Sequence, residues 1–327
     1  MKAGKIMENV YKRSVLKQIK MKREEVLIGA GIGEDCAIFS FKGEELTVAS
    51  SAPMVGYGPE GERSALYSCV NRLAASGAEP VAVMISGFFP ESAEESDIKN
   101  MMLRMEEECG KLKVQIAESS VEVTGAVVSP VLSVSGIGKA KKAYDSSVRN
   151  VKPGQDVVVS KWIGLEGTAV IARRMEEPLL TRYPVRLVEE AKELDRFLSV
   201  VPEAATAVKS GVRAMHSVTE GGIFGALWEM SEGAGVGLEI DLKKLPVKQE
   251  TIEVCEFFEI NPYELLSGGC LLMAADNGHD LVKALEQEGI PASVVGKTTD
   301  SNDRVVINGD ERRFLEPSKS DELFRVL

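Results

Sequence analysis

The sequence lacks the features that mark zinc sites, disulfide frameworks and membrane spans. Its five cysteines stand far apart, and no two of them form a CxxC pair. With only two histidines in addition, no residue pattern is typical of a zinc site. No apolar run approaches the roughly 18 residues that a membrane helix needs, and the N-terminus has no continuous apolar stretch of a signal peptide. We therefore expect a cytoplasmic protein with buried free thiols.

Outside one end of the chain, acidic residues outnumber basic ones. The net charge of −11 argues against a nucleic-acid partner. Residues 1–23 nevertheless carry eight Lys and Arg against one acid, so the remainder carries about −18. Apolar residues recur at near-helical spacing in residues 8–22, which predicts an amphipathic helix with a solvated basic face. The alternative is a mobile basic segment that folds over an anionic ligand or a partner.

What the sequence does contain is an alternation of strands and helices in two halves. Its length fits two domains of about 150 residues each, and a charged stretch with Pro153-Gly154 separates them. We predict domains at 1–150 and 151–327 with a mixed α/β (α+β) fold rather than an all-parallel barrel. The predicted strands are 36–39, 46–50, 80–89, 114–117, 127–136, 157–160, 236–240, 270–275 and 292–296. The predicted helices are 62–76, 92–110 (with Ser92 as N-cap and Glu95 at capping-box spacing), 166–176, 185–197 and 220–232.

Two glycine-rich segments could hold a phosphate group. Gly31 and Gly33 lead into Glu34 and Asp35, so backbone amides could approach a phosphate beside a carboxylate suited to Mg²⁺. An ordinary glycine turn explains the same residues, because neither the P-loop spacing nor the dinucleotide-binding spacing is present. Residues 162–169 again place glycines before a helix. Glycine-rich helix starts in both halves suit a protein that handles phosphate.

A further candidate segment covers residues 214–222, ahead of an apolar helix. Thr219 or Ser217 could cap that helix, whose free amide groups favour an anion. A purely structural cap explains the segment as well, and a lone histidine is often a hydrogen-bonded structural residue. The candidate binding residues here are His216, Thr219, Glu220, Gly221 and Gly222.

Longer segments, taken in order, carry a family resemblance over nearly the whole chain. They are GEDCAI at 33–38, NRLAASGAEP at 71–80, GLEGTA at 164–169, AMHSVTEGGIFGALWEM at 214–230 and INPYELLSGGCLLMA at 260–274. The chain resembles the AIR synthase-related (PurM-like) superfamily, most closely its hydrogenase-maturation (HypE) branch. The resemblance implies a homodimer whose N-terminal sheets pair into a barrel, a second mixed α/β domain, ATP with Mg²⁺ as cofactor, and a partner protein of a maturation pathway.

The sequence departs from the family pattern where the resemblance places the family's chemistry. Relatives have an aspartate at the end of the second strand, where this chain reads SSAP at 50–53, and Asn-Asp where it has Asn71-Arg72. The family's diglycine is replaced by Glu118-Ser119, and the aspartate expected after the histidine of the second domain is Ser217. Replacing glycines by larger residues blocks close backbone approach, and losing carboxylates removes ligands for Mg²⁺.

The resemblance leaves Asp35 as the metal ligand, with Glu34 and Glu122 as possible helpers. Arg72 is expected to pair with one of these three acids or with a bound anion, because a guanidinium matches carboxylate and phosphate geometry. The alternative is that Arg72 points to solvent. Together with Asn71, these residues and those of segments 31–35 and 214–222 form the predicted nucleotide- or anion-binding set.

The departures predict a HypE-like protein with a degenerate ATP/Mg²⁺ site. It would bind a nucleotide, an anion or a partner without the usual catalysis. HypE also carries a C-terminal cysteine that is carbamoylated and dehydrated, and this chain has no cysteine after Cys270. The alternative is an ATP-dependent enzyme that activates an amide, acid or similar oxygen at a rearranged metal site. No catalytic residue is assigned.

Overall fold

The computed structural model of the chain divides into two compact units. The first comprises Met1–Leu73 and Ala78–Ala143, and the second comprises Ala74–Gly77 and Tyr144–Leu327. The expected domain boundary after residue 150 stays a prediction. The structure describes residues 4–5, 10–28, 30, 38–43, 45–54, 58–141, 146–318 and 320–327.

The first unit is built on a mixed sheet with helices. Its described elements are β1 (Gly4–Lys5), a π-helical turn (Tyr11–Leu16), β2 (Val26–Ile28), β3 (Ile38–Phe39), β4 (Glu45–Pro53), α1 (Gly58–Ala75), β5 (Glu79–Phe89), α2 (Glu95–Leu112), β6 (Gln115–Val123) and β7 (Val131–Lys141). The main sheet has the strand order β1-β6-β5-β7-β4, and β2 pairs with β3 separately. Strands β5 and β6 are parallel, whereas β7 is antiparallel to both β5 and β4.

Helices α1 and α2 cover one face of the main sheet. A Cβ at Gly136 of β7 would lie 2.7 Å from Cys69 Sγ of α1, and one at Gly87 of β5 would lie 3.9 Å from Met101 of α2. Since side chains alternate along a strand, the next residues point to the opposite face. Phe88 and Val131 are register partners there, and they are 44% and 47% exposed. The sheet therefore has one face covered by helices, and its opposite face is open around Phe88 and Val131.

The predicted cap of α2 was wrong by two residues. Glu94 is the N-cap, and it forms a capping box with Asp97. Glu95, which we expected in the box, instead accepts a hydrogen bond of 2.6 Å from Ser14 Oγ and pairs with Arg13. The Glu95 carboxylate therefore contacts the basic N-terminal segment and takes no part in the capping box.

That basic segment packs on α2. Its π-helical turn is shorter than the helix predicted over 8–22. Val10 and Val15 are buried, whereas Lys12 and Lys17 are exposed. Farther along, Glu106 of α2 accepts a 2.8 Å hydrogen bond from the backbone amide of Lys20. The amphipathic pattern is therefore correct, and it extends beyond the helical turn.

The second unit is built on a larger mixed sheet. Its strands are β8 (Asp156–Ser160), β9 (Ala214–Ser217), β10 (Gly237–Asp241), β11 (Leu271–Ala275), β12 (Ala292–Thr299), β13 (Arg304–Asn308) and β14 (Glu311–Phe314). Its α-helices are α3 (Leu165–Arg174), α4 (Glu176–Leu180), α5 (Val185–Lys192), α6 (Val201–Lys209), α7 (Gly222–Ala234), α8 (Gln249–Phe258) and α9 (Gly278–Gln287). Short 3₁₀ turns lie at Val148–Asn150, Glu193–Phe197, Leu242–Lys244 and Glu322–Arg325.

The strand order of this sheet is β14-β13-β10-β12-β8-β11-β9. Strand β10 is parallel to β13 and antiparallel to β12. In strand β8, which lies between β12 and β11, Val157 and Val159 belong to one apolar core, whereas Val158 belongs to another. Both faces of the sheet are covered there, which explains why the strand reads as a continuous apolar run. Among the described residues, no helix has the length and apolar character needed to cross a membrane.

Candidate functional site

Part of the predicted site lies outside the described residues. This applies to Gly31, Gly33, Glu34 and Asp35, and so to the predicted metal ligand. Asn71, Arg72 and Glu122 belong to the first unit. The remaining candidates belong to the second.

Arg72 lies exposed in the last turn of α1. Its Nη1 donates a 3.0 Å hydrogen bond to the carbonyl oxygen of Ser51 in β4. The hydroxyl of Ser51 receives a 3.1 Å hydrogen bond from Ser135 Oγ in β7. The preceding residue, Asn71, is only 3% exposed. The guanidinium thus contacts a neutral carbonyl group, and the Arg72 side chain is otherwise exposed to solvent.

The expected ion pair between Arg72 and Glu122 is wrong. Neither residue takes part in an ion pair within the described part of the chain. Glu122 is exposed on β6, between the buried Val121 and Val123. It therefore points to the open face of the sheet, whereas α1 covers the other face. Pairing of Arg72 with Glu34 or Asp35 stays a prediction, because those residues are not described.

The substituted diglycine places one side chain on each side of β6. Ser119 is 3% exposed, and its Oγ lies 3.9 Å from Met102 Sδ of α2. Glu118 is half-buried on the other side, where burial raises the pKa of its carboxyl group. The backbone here is flanked by side chains on both faces. A phosphate therefore cannot approach it as it could approach two glycines.

A divalent metal does not fit the described part of this unit. Mg²⁺ prefers carboxylate and other oxygen ligands in octahedral order. Ala52 is 1% exposed and offers no such ligand, and Arg72 brings a positive charge. No cluster of three or more metal-binding side chains occurs among the residues that the structure describes.

In the second unit, α7 begins with two glycines in the left-handed backbone region. Gly221 and Gly222 have φ values of +80° and +61°. A Cβ at Gly222 would lie 2.5 Å from the carbonyl oxygen of Tyr263. The N-cap is Gly221 and no side chain caps the helix, so the expectation that Thr219 or Ser217 does so is wrong.

The amide groups of Gly221, Gly222 and Phe224 in this turn already have acceptors in the protein. Gly222 N donates to the Thr219 carbonyl at 3.2 Å, and Phe224 N donates to the Tyr263 carbonyl at 3.1 Å. Gly221 N donates to the carboxylate of Asp321 at 2.7 Å. An external anion would have to displace these groups.

Asp321 is a site residue that sequence reasoning missed. It is 3% exposed and accepts further hydrogen bonds from Leu266 N (3.1 Å) and Leu323 N (2.8 Å). Burial raises the pKa of Asp321 to about 6, although its three amide donors act in the opposite direction. An aspartate two residues before Leu323 is a local cap signal. No signal in the sequence indicates that the same aspartate contacts Gly221.

Ser267 brings the two glycine-rich helix starts of this unit together. Its Oγ accepts a 2.7 Å hydrogen bond from Gly164 N, and its amide donates to the Thr219 carbonyl at 3.3 Å. A Cβ at Gly167 would lie 2.5 Å from Leu265 Cγ. The glycines therefore serve the close packing of these loops, which is the structural role that the sequence left open.

His216 forms a surface contact. Its Nε2 lies 2.8 Å from Glu229 Oε2, and the two side chains are 29% and 58% exposed. Glu220 is exposed as well. Surface pairs of this kind contribute little to stability. The structure assigns neither residue a catalytic geometry.

Four cysteines lie among the described residues, and all of them are buried. Burial raises the pKa of Cys69 to about 11 and the pKa of Cys255 and Cys270 to about 12. Burial also raises the pKa of Cys109. Since the thiolate is the reactive form of cysteine, these thiols are inert structural residues.

Family models for AIR synthase related protein match both halves of the chain. The N-terminal domain model matches residues 33–140, and the C-terminal domain model matches residues 152–308. A hydrogenase expression/formation protein of Methanocaldococcus jannaschii is 25% identical over 332 residues, which cover 99% of this chain and 97% of the relative. Carbamoyl dehydratase HypE of Rhodobacter capsulatus is 26% identical over 304 residues, which cover 90% and 86%.

Solved structures share the fold. HypE of E. coli matches with a TM-score of 0.79 at 19% identity, over 98% of this chain and 100% of that one. Thiamine-monophosphate kinase from Stenotrophomonas maltophilia matches with a TM-score of 0.73 at 18% identity, over 94% and 98%. The predicted mixed α/β, PurM-like fold is confirmed. The chain therefore belongs to the AIR synthase-related (PurM-like) family, as a HypE-like member.

Proposed function

We propose that this chain binds a nucleotide or a similar phosphate-bearing anion through Arg72, without the metal-dependent catalysis of its family. One solved HypE is a complex with ATP, which matches this chain with a TM-score of 0.77. The exposed guanidinium of Arg72 carries the proposal. It donates to one carbonyl group and takes part in no ion pair with a described residue, so its charge is available to a ligand.

An arginine at this position favours direct phosphate contact over metal-bridged contact. A guanidinium presents paired N–H donors that match two phosphate oxygens. A cation at the same place repels Mg²⁺, and the described residues of this unit offer no carboxylate cluster to compensate. We therefore expect ATP to bind weakly and independently of Mg²⁺.

Titration calorimetry with ATP, in Mg²⁺ and in chelator, tests this proposal. We expect the same affinity in both solutions, and an affinity about tenfold weaker for Arg72→Ala, as for one lost charge-assisted contact. Arg186→Ala is the matched control, because Arg186 is 86% exposed on α5 of the other unit. Sub-micromolar, Mg²⁺-dependent affinity with release of ADP would overturn the proposal and favour the ATP-dependent enzyme.

The open face of the first unit supports a homodimer. Phe88 and Val131 leave apolar surface in register on neighbouring strands, next to Glu118 and Glu122. A second copy of the same face would cover these side chains and form the barrel that the family resemblance implies. Two copies of this face can pack together only if Glu118 and Glu122 lie at the rim of the interface, because buried carboxylates would repel one another.

Light scattering tests the dimer. We expect twice the chain mass of 35.4 kDa at micromolar concentration, and dissociation of Phe88→Glu. Leu103→Glu is the control, because Leu103 is 40% exposed but lies on α2, away from the open face. A monomeric wild-type protein, or equal effects of the two substitutions, would rule out this interface.

We also propose a partner protein from a hydrogenase-maturation pathway. A solved HypE–HypF complex matches this chain with a TM-score of 0.70 at 23% identity. Size-exclusion chromatography of this chain mixed with purified HypF tests the proposal. Co-elution is expected, and independent elution at micromolar concentrations would contradict a HypF-type partner.

A further inference from the structure

The second unit contains a polar cavity that the proposed function does not use. Its volume is about 570 Å³, within the usual range for small-molecule sites. It lies between the 3₁₀ turn at Val148–Asn150, the end of β11 and the start of α9. The side chains that carry the argument below are Arg149, Lys152, Gln155, Arg213, Asp276 and Asp280.

Hydrogen bonds hold the basic wall of this cavity in place. The carbonyl oxygen of Arg213 accepts from Ser147 N at 3.0 Å and from Asn150 Nδ2 at 3.1 Å. Ser147 and Asn150 lie on either side of Arg149 in the chain. Their hydrogen bonds therefore hold the turn that contains Arg149 against the loop that contains Arg213. Lys152 follows shortly after, where its amide donates to Gln155 Oε1 at 2.9 Å.

The opposite wall is acidic and equally anchored. Gln155 Nε2 donates to Asp276 Oδ1 at 2.8 Å, which joins the two walls. Asn277 caps α9 by accepting from Asp280 N at 3.2 Å. Buried Ala274 and Ala275 line the cavity at the end of β11, and their small side chains leave its volume open.

The charge distribution indicates what this cavity would bind. Three cationic side chains line it, in a chain whose net charge is −11. Arg149 and Lys152 take part in none of the ion pairs formed by the described residues, although acids are abundant. Both side chains are exposed at the cavity wall, so an anion from solvent can reach them, and their positive charges attract it. Carboxylates on the facing wall can accept hydrogen bonds from hydroxyl groups.

We propose that this cavity binds a small phosphate monoester that carries hydroxyl groups, of the size of a sugar phosphate. Arg149 and Lys152 contact the phosphate, and Asp276 accepts hydrogen bonds from the hydroxyl groups. The site lies entirely within the second unit and does not depend on Arg72 or on nucleotide binding.

Titration calorimetry of the full chain with ribose 5-phosphate, inorganic phosphate and ribose tests the proposal. We expect saturable binding of ribose 5-phosphate, weaker binding of phosphate, and none of ribose. The double variant R149A/K152A should bind ribose 5-phosphate at least about tenfold more weakly, the cost of one lost charge-assisted hydrogen bond. Asp276→Asn should weaken the binding of ribose 5-phosphate but leave the affinity for inorganic phosphate unchanged.

Two control variants test whether binding is specific to this cavity. Arg186→Ala removes an exposed cation of the same unit outside the cavity, and Arg72→Ala removes the proposed nucleotide contact. Both should bind ribose 5-phosphate as the wild type does, whatever their effect on ATP binding. Absence of saturable binding, equal affinity in R149A/K152A, or an equal loss in Arg186→Ala would each overturn the proposal.

Discussion

Asp321 Oδ2 accepts a 2.7 Å hydrogen bond from the amide of Gly221, although the two residues are 100 positions apart. The same carboxylate accepts from Leu266 N, so one side chain joins the start of α7, the loop before β11 and the C-terminal 3₁₀ turn. The amides at a helix start favour negative charge, and here an internal carboxylate supplies it. The turn at the start of α7 is therefore held by hydrogen bonds to a side chain of the protein itself.

Asp321→Asn should change how stability depends on pH. Burial raises the pKa of Asp321 from 3.8 to about 6 in the folded state. Folded protein thus holds this proton more tightly than unfolded protein, and its contribution to stability falls as pH rises from about 4 to about 6. A shift of about two units corresponds to roughly 3 kcal/mol. Urea unfolding across this range should show that the wild type loses stability relative to Asp321→Asn.

The exposed Asp300 provides the control for this measurement. Asp300→Asn is the same substitution at an exposed position, and its free energy of unfolding should stay within about 0.5 kcal/mol of the wild-type value, as for other surface substitutions. If the stability of Asp321→Asn changes with pH as that of the wild type does, protonation of Asp321 does not contribute to the stability of the fold.

Gly222→Ala should destabilise the protein more than the left-handed backbone alone explains. Gly222 has a φ of +61°, and a Cβ there would lie 2.5 Å from the Tyr263 carbonyl oxygen. Gly289→Ala is matched, with a φ of +75° and no atom within 4 Å of the new Cβ. We expect about 1–2 kcal/mol for Gly289→Ala and clearly more for Gly222→Ala, measured by urea unfolding. Equal losses would contradict tight packing of the turn.

Lys161 and Glu203 form a buried ion pair, and substituting only one of the two residues should strongly destabilise the protein. Their nitrogen and oxygen are 2.5 Å apart, and the side chains are 7% and 2% exposed. Lys161 also donates to the carbonyls of Phe197 (2.7 Å) and Ser199 (2.6 Å). Lys161→Met leaves a buried carboxylate uncompensated, and we expect a loss of about 3–5 kcal/mol.

Adding Glu203→Gln to Lys161→Met should restore part of the lost stability, because the buried carboxylate without a partner is then removed. Arg186→Met removes the exposed pair with Glu190 and should cost less than about 1 kcal/mol. Chemical denaturation of the four proteins gives the comparison. A double variant no more stable than Lys161→Met would show that lost packing, not charge, sets the cost.

Arg72→Asp should give the protein a response to Mg²⁺. It places a carboxylate where the family resemblance puts a metal-binding aspartate, and it removes a cation that repels the metal. Because Arg72 is exposed and contacts a carbonyl group, the melting temperature without metal should change little. Thermal melts with and without Mg²⁺ measure the response, and Arg186→Asp is the control. No Mg²⁺ response in Arg72→Asp would mean that position 72 is not part of a metal site.

Local sequence patterns were sufficient for many elements of the fold. The strand predicted at 80–89 is Glu79–Phe89, and the helix predicted at 185–197 is Val185–Lys192 followed by the 3₁₀ turn Glu193–Phe197. These segments carry clear apolar periodicity, which depends only on neighbours in the chain. The hairpin of β13 and β14 was missed although Asn308-Gly309 is a turn signal. Helix α6 was missed as well, and it has a proline in its first turn.

The candidate site was less predictable, for a physical reason. The sequence by itself determined the family, the local periodicity and the positions at which expected acids are replaced, because these are properties of short segments. Only the tertiary structure decided that Glu122 points away from Arg72, that Asp321 reaches Gly221, and that Lys161 is neutralised by Glu203. Each of these depends on which strand face or loop meets another across many residues of chain. Burial and pairing, which set the charge of a side chain, follow from that long-range packing.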